Sequence, residues 1–306
     1  MRQRRRIGAY GLCRDGDRVL LTRASALADF PGLWQLPGGG LEHGEHPAVA
    51  VAREFTEETG LTIEVGEVRA VVADVIRLPD LDVALHTDRV IYDVAATGGV
   101  LRDEAAGTTD LVAWVPPDEL SRLPLMPFTA ELLGLPVTPL PEDVPPPWPR
   151  QPLAPPAADR RQRFAAYGLA TDPDGRVLLT MIADGYPSAG RWHLPGGGTD
   201  HGEQPATGLL RELVEESGQL GRITGLLGVS NLHNPAALGP EGVPLDWHGV
   251  RVTYRLMVEA PTEPVVTERA GSTSRAAWFD LAEARELPLT DVAAAALARL
   301  AAEPTG

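Results

Sequence analysis

The chain carries the same sequence twice, in the same order. The stretch AYGLCRDGDRVLLT (Ala9 to Thr22) returns as AYGLATDPDGRVLLT (Ala166 to Thr180), and LWQLPGGG (Leu33 to Gly40) returns as RWHLPGGG (Arg191 to Gly198). The run GEHPAVAVAREFTEETG that follows is matched by GEQPATGLLRELVEESG, and HTDRVIY (His86 to Tyr92) by HGVRVTY (His248 to Tyr254). Trp114 and Trp278 each precede a Leu-Pro-Leu. An offset of about 160 residues is far too long for a solenoid, so each half is a whole domain. The expected organisation is a first domain over 1–135, a connector over 136–158 and a second domain over 159–306. Pro145, Pro146, Pro147, Pro149, Pro152, Pro155 and Pro156 make that connector an extended spacer.

Each half reads as the same succession of elements. A strand near Tyr10 or Tyr167 turns at Asp15-Gly16 or Asp174-Gly175 into a second strand, Val19 to Thr22 or Val177 to Thr180. The glycine triplet leads to an amphipathic helix, predicted over Pro47 to Thr59 and Pro205 to Ser217, with proline at its start and Gly60 or Gly218 at its end. Strands are expected over Val68 to Val75, Arg89 to Ala95 and Ala113 to Val115, with a terminal helix in each half. Alternating strands with two helices make the fold class α/β, a mixed sheet packed between helices.

The charge of −15 opposes tight binding to a nucleic-acid polymer, which needs clustered positive charge. It is compatible with small phosphorylated ligands, because a bound cation reverses the local field. The chain has no lysine, so every protein cation that meets phosphate is arginine or histidine. The single cysteine, Cys13, excludes an intrachain disulfide and is expected to be a small buried side chain. No apolar run reaches the length of a membrane span, and acidic residues soon interrupt the basic start. The expectation is therefore a cytoplasmic protein with no membrane partner.

The chemistry is carried by carboxylates on the predicted helices. Glu54, Glu57 and Glu58 stand at i, i+3 and i+4, within an arc of roughly 100° on one face. Ala48, Val51, Ala52 and Phe55 are expected to bury the adjoining face. Glu212, Glu215 and Glu216 repeat the arrangement against Ala206, Leu209, Leu210 and Leu213. Three crowded carboxylates call for a divalent cation, and hard oxygen donors select Mg²⁺ or Mn²⁺. Arg53 and Arg211 lie four residues before Glu57 and Glu215 and can orient the cluster.

Both halves place a glycine, five residues, a glutamate, seven residues, and then Arg-Glu-x-x-Glu-Glu-x-Gly. This pattern resembles the signature of the Nudix hydrolase family. The first copy matches at every identity, and the second departs only at Gln219, where an aliphatic residue is expected. The resemblance implies two α/β/α sandwiches and hydrolysis of a nucleoside diphosphate linked to another group. It implies catalytic roles for Glu54, Arg53 and Glu45, and for Glu212, Arg211 and Glu203. It also implies metal binding by Gly38, Glu54, Glu57 and Glu58, and by Gly196, Glu212, Glu215 and Glu216. A further acid from a later loop is expected, with Glu104 and Glu268 as candidates ten residues before the matching tryptophans.

His86, Arg89, His248 and Arg251 are candidate substrate contacts. Tyr92 and Tyr254 complete the same motifs, although spacing along a strand cannot put all three residues of one motif on one face. Trp34 and Trp192 suit either base stacking or the core. The second half carries an apparent loop insertion, Asn231 to His248, so the two sites are expected to differ in preference. The expected partner is a small nucleotide-type phosphorylated substrate. A pseudo-dimer of the halves and a homo-oligomer are both compatible with the sequence. A nucleotide-sensing module that does not hydrolyse its ligand is the alternative, and an inert scaffold would show no dependence on Mg²⁺.

Overall fold

A computed structural model of the protein describes residues 1–140, 159–238, 243–267 and 271–303. Most of the expected proline-rich connector lies outside them. The first half contains β1 (Arg2–Asp15), β2 (Arg18–Ala24), β3 (Trp34–Gln35), β4 (Gly38–Gly40) and α1 (Pro47–Thr59). It continues with β5 (Leu61–Leu78), β6 (Val83–Gly99), β7 (Thr109–Val115), α2 (Pro117–Leu120) and α3 (Pro127–Leu132). The second half repeats the order. It has β8 (Arg160–Thr171), β9 (Val177–Ile182), β10 (Trp192–His193), β11 (Gly196–Gly198), α4 (Pro205–Ser217), β12 (Arg222–Leu238), β13 (Pro244–Met257), β14 (Thr273–Phe279), α5 (Leu281–Glu286) and α6 (Asp291–Ala301).

Each sheet has the same connectivity. In the first the order is β3-β2-β1-β6-β5, with β4 on β1 and β7 on β2. In the second it is β10-β9-β8-β13-β12, with β11 on β8 and β14 on β9. β1 runs parallel to β6 from Arg2 opposite Val83 to Cys13 opposite Val94, whereas β4 and β2 pair with β1 antiparallel. The chain forms two compact units. One comprises Met1–Gln162 with Asn231–Val250, and the other Arg163–Ser230 with Arg251–Gly306. Among the described residues no helix is long and apolar enough to cross a membrane.

Strand alternation sets the layers. Tyr10 and Leu12 join a buried cluster with Trp34, Leu36 and the α3 residues Phe128 and Ala130. Gly11, between them, faces Phe55 of α1. One strand therefore meets α1 on one side and α3 on the other, which is the α/β/α arrangement that the resemblance implies. In the second half Leu169, Trp192 and Leu194 pack with Ala293 and Leu297 of α6. Both Trp34 and Trp192 are core residues, and Cys13 is buried.

Both long helices end where the sequence places them. His46 Nδ1 accepts from the Ala48 N–H at the start of α1, and Gly60 closes the helix at φ 73°. The apolar face differs by a small rotation: Pro47, Ala50, Val51 and Phe55 are buried, while Ala48 and Ala52 are only partly so. The strands depart further. β1 begins at Arg2 rather than near Tyr10, because Arg5 is tied to buried Asp88 on β6 by Nε at 2.7 Å and Nη2 at 3.0 Å. β5 and β6 are more than twice as long as expected. The stretch Asn231 to His248 is not an irregular loop; its described part extends β12 and β13. Gln219, the departure from the family pattern, is buried. Its Nε2 donates to Thr262 Oγ1 at 2.9 Å and its Oε1 accepts from Thr262 N at 3.0 Å, which fastens the segment after β13.

His193 ties β10 to the start of α6. Thr290 caps that helix by accepting from Ala293 N, and its hydroxyl lies 2.6 Å from His193 Nδ1. A hydroxyl that donates to Nδ1 needs a neutral ring. Burial, helped by the charge of Arg251, pulls His193 down to about 4.

Two outcomes follow. A Cβ on Gly11 would lie 2.5 Å from Phe55 Cε2, so Gly11→Ala should cost about 1–3 kcal/mol and Phe55→Ala about 3–5 kcal/mol. The double variant should cost less than the sum, since the methyl enters the space left by the ring; urea unfolding of the four proteins checks this. Between the ordinary histidine value of 6.5 and about 4, the unfolded chain holds a proton that folded His193 does not. That contribution to stability, on the order of 3 kcal/mol, is present above the window and is lost as pH falls through it. His193→Gln should flatten this part of the stability–pH curve.

Candidate metal and active site

The glycine turn and the long helix meet through a buried carboxylate. Gly38 adopts φ 140°, and a Cβ there would lie 2.3 Å from the Ala9 carbonyl oxygen, so only glycine fits. Its N–H donates to Glu58 Oε2 at 2.9 Å, and Gly196 N–H donates to Glu216 Oε2 at 2.8 Å. Gly39 presses on Glu54, where a Cβ would be 2.6 Å from Oε2. The turn and the carboxylates thus occupy each other's missing side-chain space.

An arginine on each helix gathers the acids. Arg53 Nε and Nη2 each donate to one oxygen of Glu45 at 3.0 Å. Its Nη1 donates to Glu54 Oε1 at 2.9 Å and Glu57 Oε2 at 3.3 Å, and Nη2 also reaches the Gly40 carbonyl at 3.0 Å. Arg211 repeats this with Glu203 at 3.0 and 3.1 Å, Glu212 at 3.0 Å and Glu215 at 2.9 Å. The bonds to Glu45 and Glu203 hold both guanidiniums above the ordinary arginine range. Burial works against ionisation of Glu45, but Arg53 and the Glu42 N–H outweigh it and hold the carboxyl low.

The helix acids are pushed the other way. Burial raises Glu54 despite Arg53 and the charge of Arg6. Burial pushes Glu58 up to about 8; the Gly38 N–H opposes this, while the charges of Glu54, Glu104 and Glu57 add to it. A buried carboxylate beside three like charges is stabilised in its ionised form by a cation, and the donors are all oxygen. The residues therefore fit a divalent metal ion of the hard class.

The structure brings Glu45, Arg53, Glu54, Glu57, Glu58 and Gly38 together, and likewise Glu203, Arg211, Glu212, Glu215, Glu216 and Gly196. Glu104 lies near enough to Glu58 to act on its charge, and its Oε2 accepts from the Thr109 N–H and hydroxyl at 3.2 and 3.0 Å. Glu268 lies outside the described residues. Thr273, the counterpart of Thr109, donates instead to Glu216 Oε1. Thr109, Thr273 and Arg6 are residues the sequence reading missed. Extending the repeat three residues upstream, where Arg6 matches Arg163, is the signal that finds Arg6.

The substrate-contact candidates are mostly inside. Arg89 is 3% exposed, with Nη1 2.7 Å from Asp74 and its guanidinium 4.6 Å from the Phe128 ring centre. His86 is fully buried, 3.2 Å from Asp88. His248 is also fully buried. Its Nδ1 accepts from Gln162 and its Nε2 donates to Asn231, and burial pulls it down to about 4. Arg251 is half-buried. Beside Phe128 opens a cavity of about 450 Å³, lined also by Val72, Ile91 and Arg69.

The family model described as the NUDIX domain matches residues 2–134 and 161–300. A MutT-like protein of Streptomyces ambofaciens is 38% identical over 107 residues, covering 35% of this chain and 60% of that protein. CTP pyrophosphohydrolase of Escherichia coli is 32% identical over 120 residues, covering 39% of this chain and 82% of that protein. A solved MutT NUDIX hydrolase from Burkholderia pseudomallei is similar at 30% identity and TM-score 0.37, over 46% of this chain and 98% of that one. The chain spans 60% or less of the length of several curated relatives it matches. Two matched segments, each holding a complete carboxylate helix and its glycine turn, make this chain a member of the Nudix family with two tandem domains.

Proposed function

We propose that the protein is a cytoplasmic Nudix-type pyrophosphohydrolase that cleaves the diphosphate linkage of nucleoside di- or triphosphate derivatives. The observation that carries the reading is the arginine-clamped carboxylate cluster facing the glycine turn, complete in both halves. One relative carries the name CTP pyrophosphohydrolase, which is of the same reaction class.

Glu54, Glu57 and Glu58, with Gly38 and Glu104, would hold Mg²⁺ or Mn²⁺. The second set would be Glu212, Glu215 and Glu216 with Gly196 and Glu268. The bound ion would neutralise phosphate charge and lower the pKa of a water. Arg53 holds Glu54 Oε1, so Oε2 is the oxygen that would meet the ion or take the proton of the attacking water. Attack forms a phosphorus–oxygen bond from that water and breaks the bridging phosphorus–oxygen bond in line, so that a phosphorylated group leaves. Arg6 adds positive charge beside Glu54, where a phosphate would enter. Arg251 is the most accessible of the four expected substrate contacts. Arg89, His86 and His248 would act from behind the site by fixing the sheet. The cavity beside Phe128 suits the part of the substrate that is not phosphate.

Hydrolysis should be screened with Mg²⁺ and Mn²⁺ over nucleoside triphosphates, oxidised nucleotides, dinucleotides, nucleotide sugars and ADP-ribose. Glu54→Gln combined with Glu212→Gln should lose activity by about 100-fold or more, and each single variant reports the share of its own domain. Full activity in the double variant would refute the assignment. Arg53→Lys should also lower kcat of the first site by roughly tenfold or more while the fold persists, because an ammonium cannot make the two-pronged bond to Glu45. Circular dichroism and single-site kinetics in a Glu212→Gln background check this.

A further inference from the structure

Away from the carboxylate helices, the first compact unit holds another set of metal-ligating side chains. His43 lies in the turn between β4 and α1, His233 on β12 and Asp246 on β13. Asp246 Oδ1 lies 3.1 Å from His43 Nε2 and 2.8 Å from His233 Nε2. The donor atoms of all three residues lie within 4.8 Å of one another. His43 Nε2 is shut off from solvent, and the two rings stand nearly perpendicular at 89°.

The surroundings build this cluster rather than leave it to chance. His248 packs edge-on against His43 and His233, but both its ring nitrogens are engaged by Gln162 and Asn231, so it is a wall and not a donor. Asn231 Nδ2 also donates to the Gly44 carbonyl at 3.2 Å. Gly44 has φ 85°, and a Cβ there would lie 2.7 Å from His233 Nδ1, so glycine lets that ring come close. Arg160 Nε faces the other Asp246 oxygen at 3.5 Å. Ala84 stands two residues before His86 as Asp246 stands two before His248, so the first half carries no matching carboxylate.

We propose that His43, His233 and Asp246 form a transition-metal site, distinct from the carboxylate helices and suited to Zn²⁺. Two imidazole nitrogens and one carboxylate oxygen favour such an ion over Mg²⁺, which prefers an all-oxygen shell. Tetrahedral Zn²⁺ with ligands at about 2.0–2.2 Å sets donor atoms roughly 3.3–3.5 Å apart, so small side-chain adjustments complete the site. A water takes the remaining position. The ion would fasten β12 and β13 to the turn that carries Glu45, two residues from His43.

The test uses the full chain, stripped with EDTA and then kept in millimolar Mg²⁺, so that the carboxylate helices are occupied. Calorimetric titration with Zn²⁺ should show one equivalent that is weakened by roughly 100-fold or more in His233→Ala and in Asp246→Asn. It should be retained in Glu57→Gln with Glu215→Gln. Co²⁺ in place of Zn²⁺ should give the visible absorption of an imidazole-bound ion in the parent protein and lose it in Asp246→Asn, which keeps the side-chain shape. Zn²⁺ should raise the melting temperature of the parent and not of that variant. Absence of Zn²⁺ binding in the presence of Mg²⁺ would overturn the proposal. So would binding that survives both substitutions at His233 and Asp246.

Discussion

Each candidate site hangs on one guanidinium. Arg53 spends its fork on Glu45 in the turn and its remaining donor on Glu54 and Glu57 in the helix. A planar five-donor group makes these bonds at once, and no other side chain of this lysine-free protein could. Without the fork, three carboxylates on one helical face would repel one another and the turn would lose its tether to the helix. With it, the acids are held in place before any ligand arrives, which is the preorganisation that electrostatic catalysis needs.

The second constraint is the near absence of space between turn and helix. Glycines at positions 38 and 39 let backbone and carboxylate approach within hydrogen-bond distance, and the cost of burying Glu58 is left for a cation to offset. The two halves share this core and differ around it. Thr109 holds Glu104, whereas Thr273 holds Glu216 itself, so the same threonine position serves different carboxylates. The helix and its clamp are common to both domains, and the differences lie in the strands and loops that border them.

What could be read in the sequence was what is local. The ends of α1 and α4 follow from proline, glycine and a 3.6-residue period, all within one window. A mixed sheet packed between helices follows from element order. β5 and β6 were harder, because register shifts after Thr62 and Val65 break the two-residue alternation and only four of the eighteen residues of β5 are buried. Arg89 looks like a surface cation until Asp74 and Phe128, distant in the chain, are brought against it. The His43, His233 and Asp246 cluster joins residues from separate elements and has no spacing to reveal it.

The parallel pairing of β1 with β6 fixes the order in which the first domain can be completed. Gly8, Ala9 and Tyr10 hold the glycine turn on one edge of β1, while the other edge waits for residues as late as Val94. Closing so long a loop is slow compared with forming a helix. The acidic face of α1 is therefore synthesised, and can be helical, well before the strand beneath its turn has a second neighbour. During synthesis the clamp must wait for the sheet, and a chain arrested before β6 would display the carboxylates without the pocket they serve.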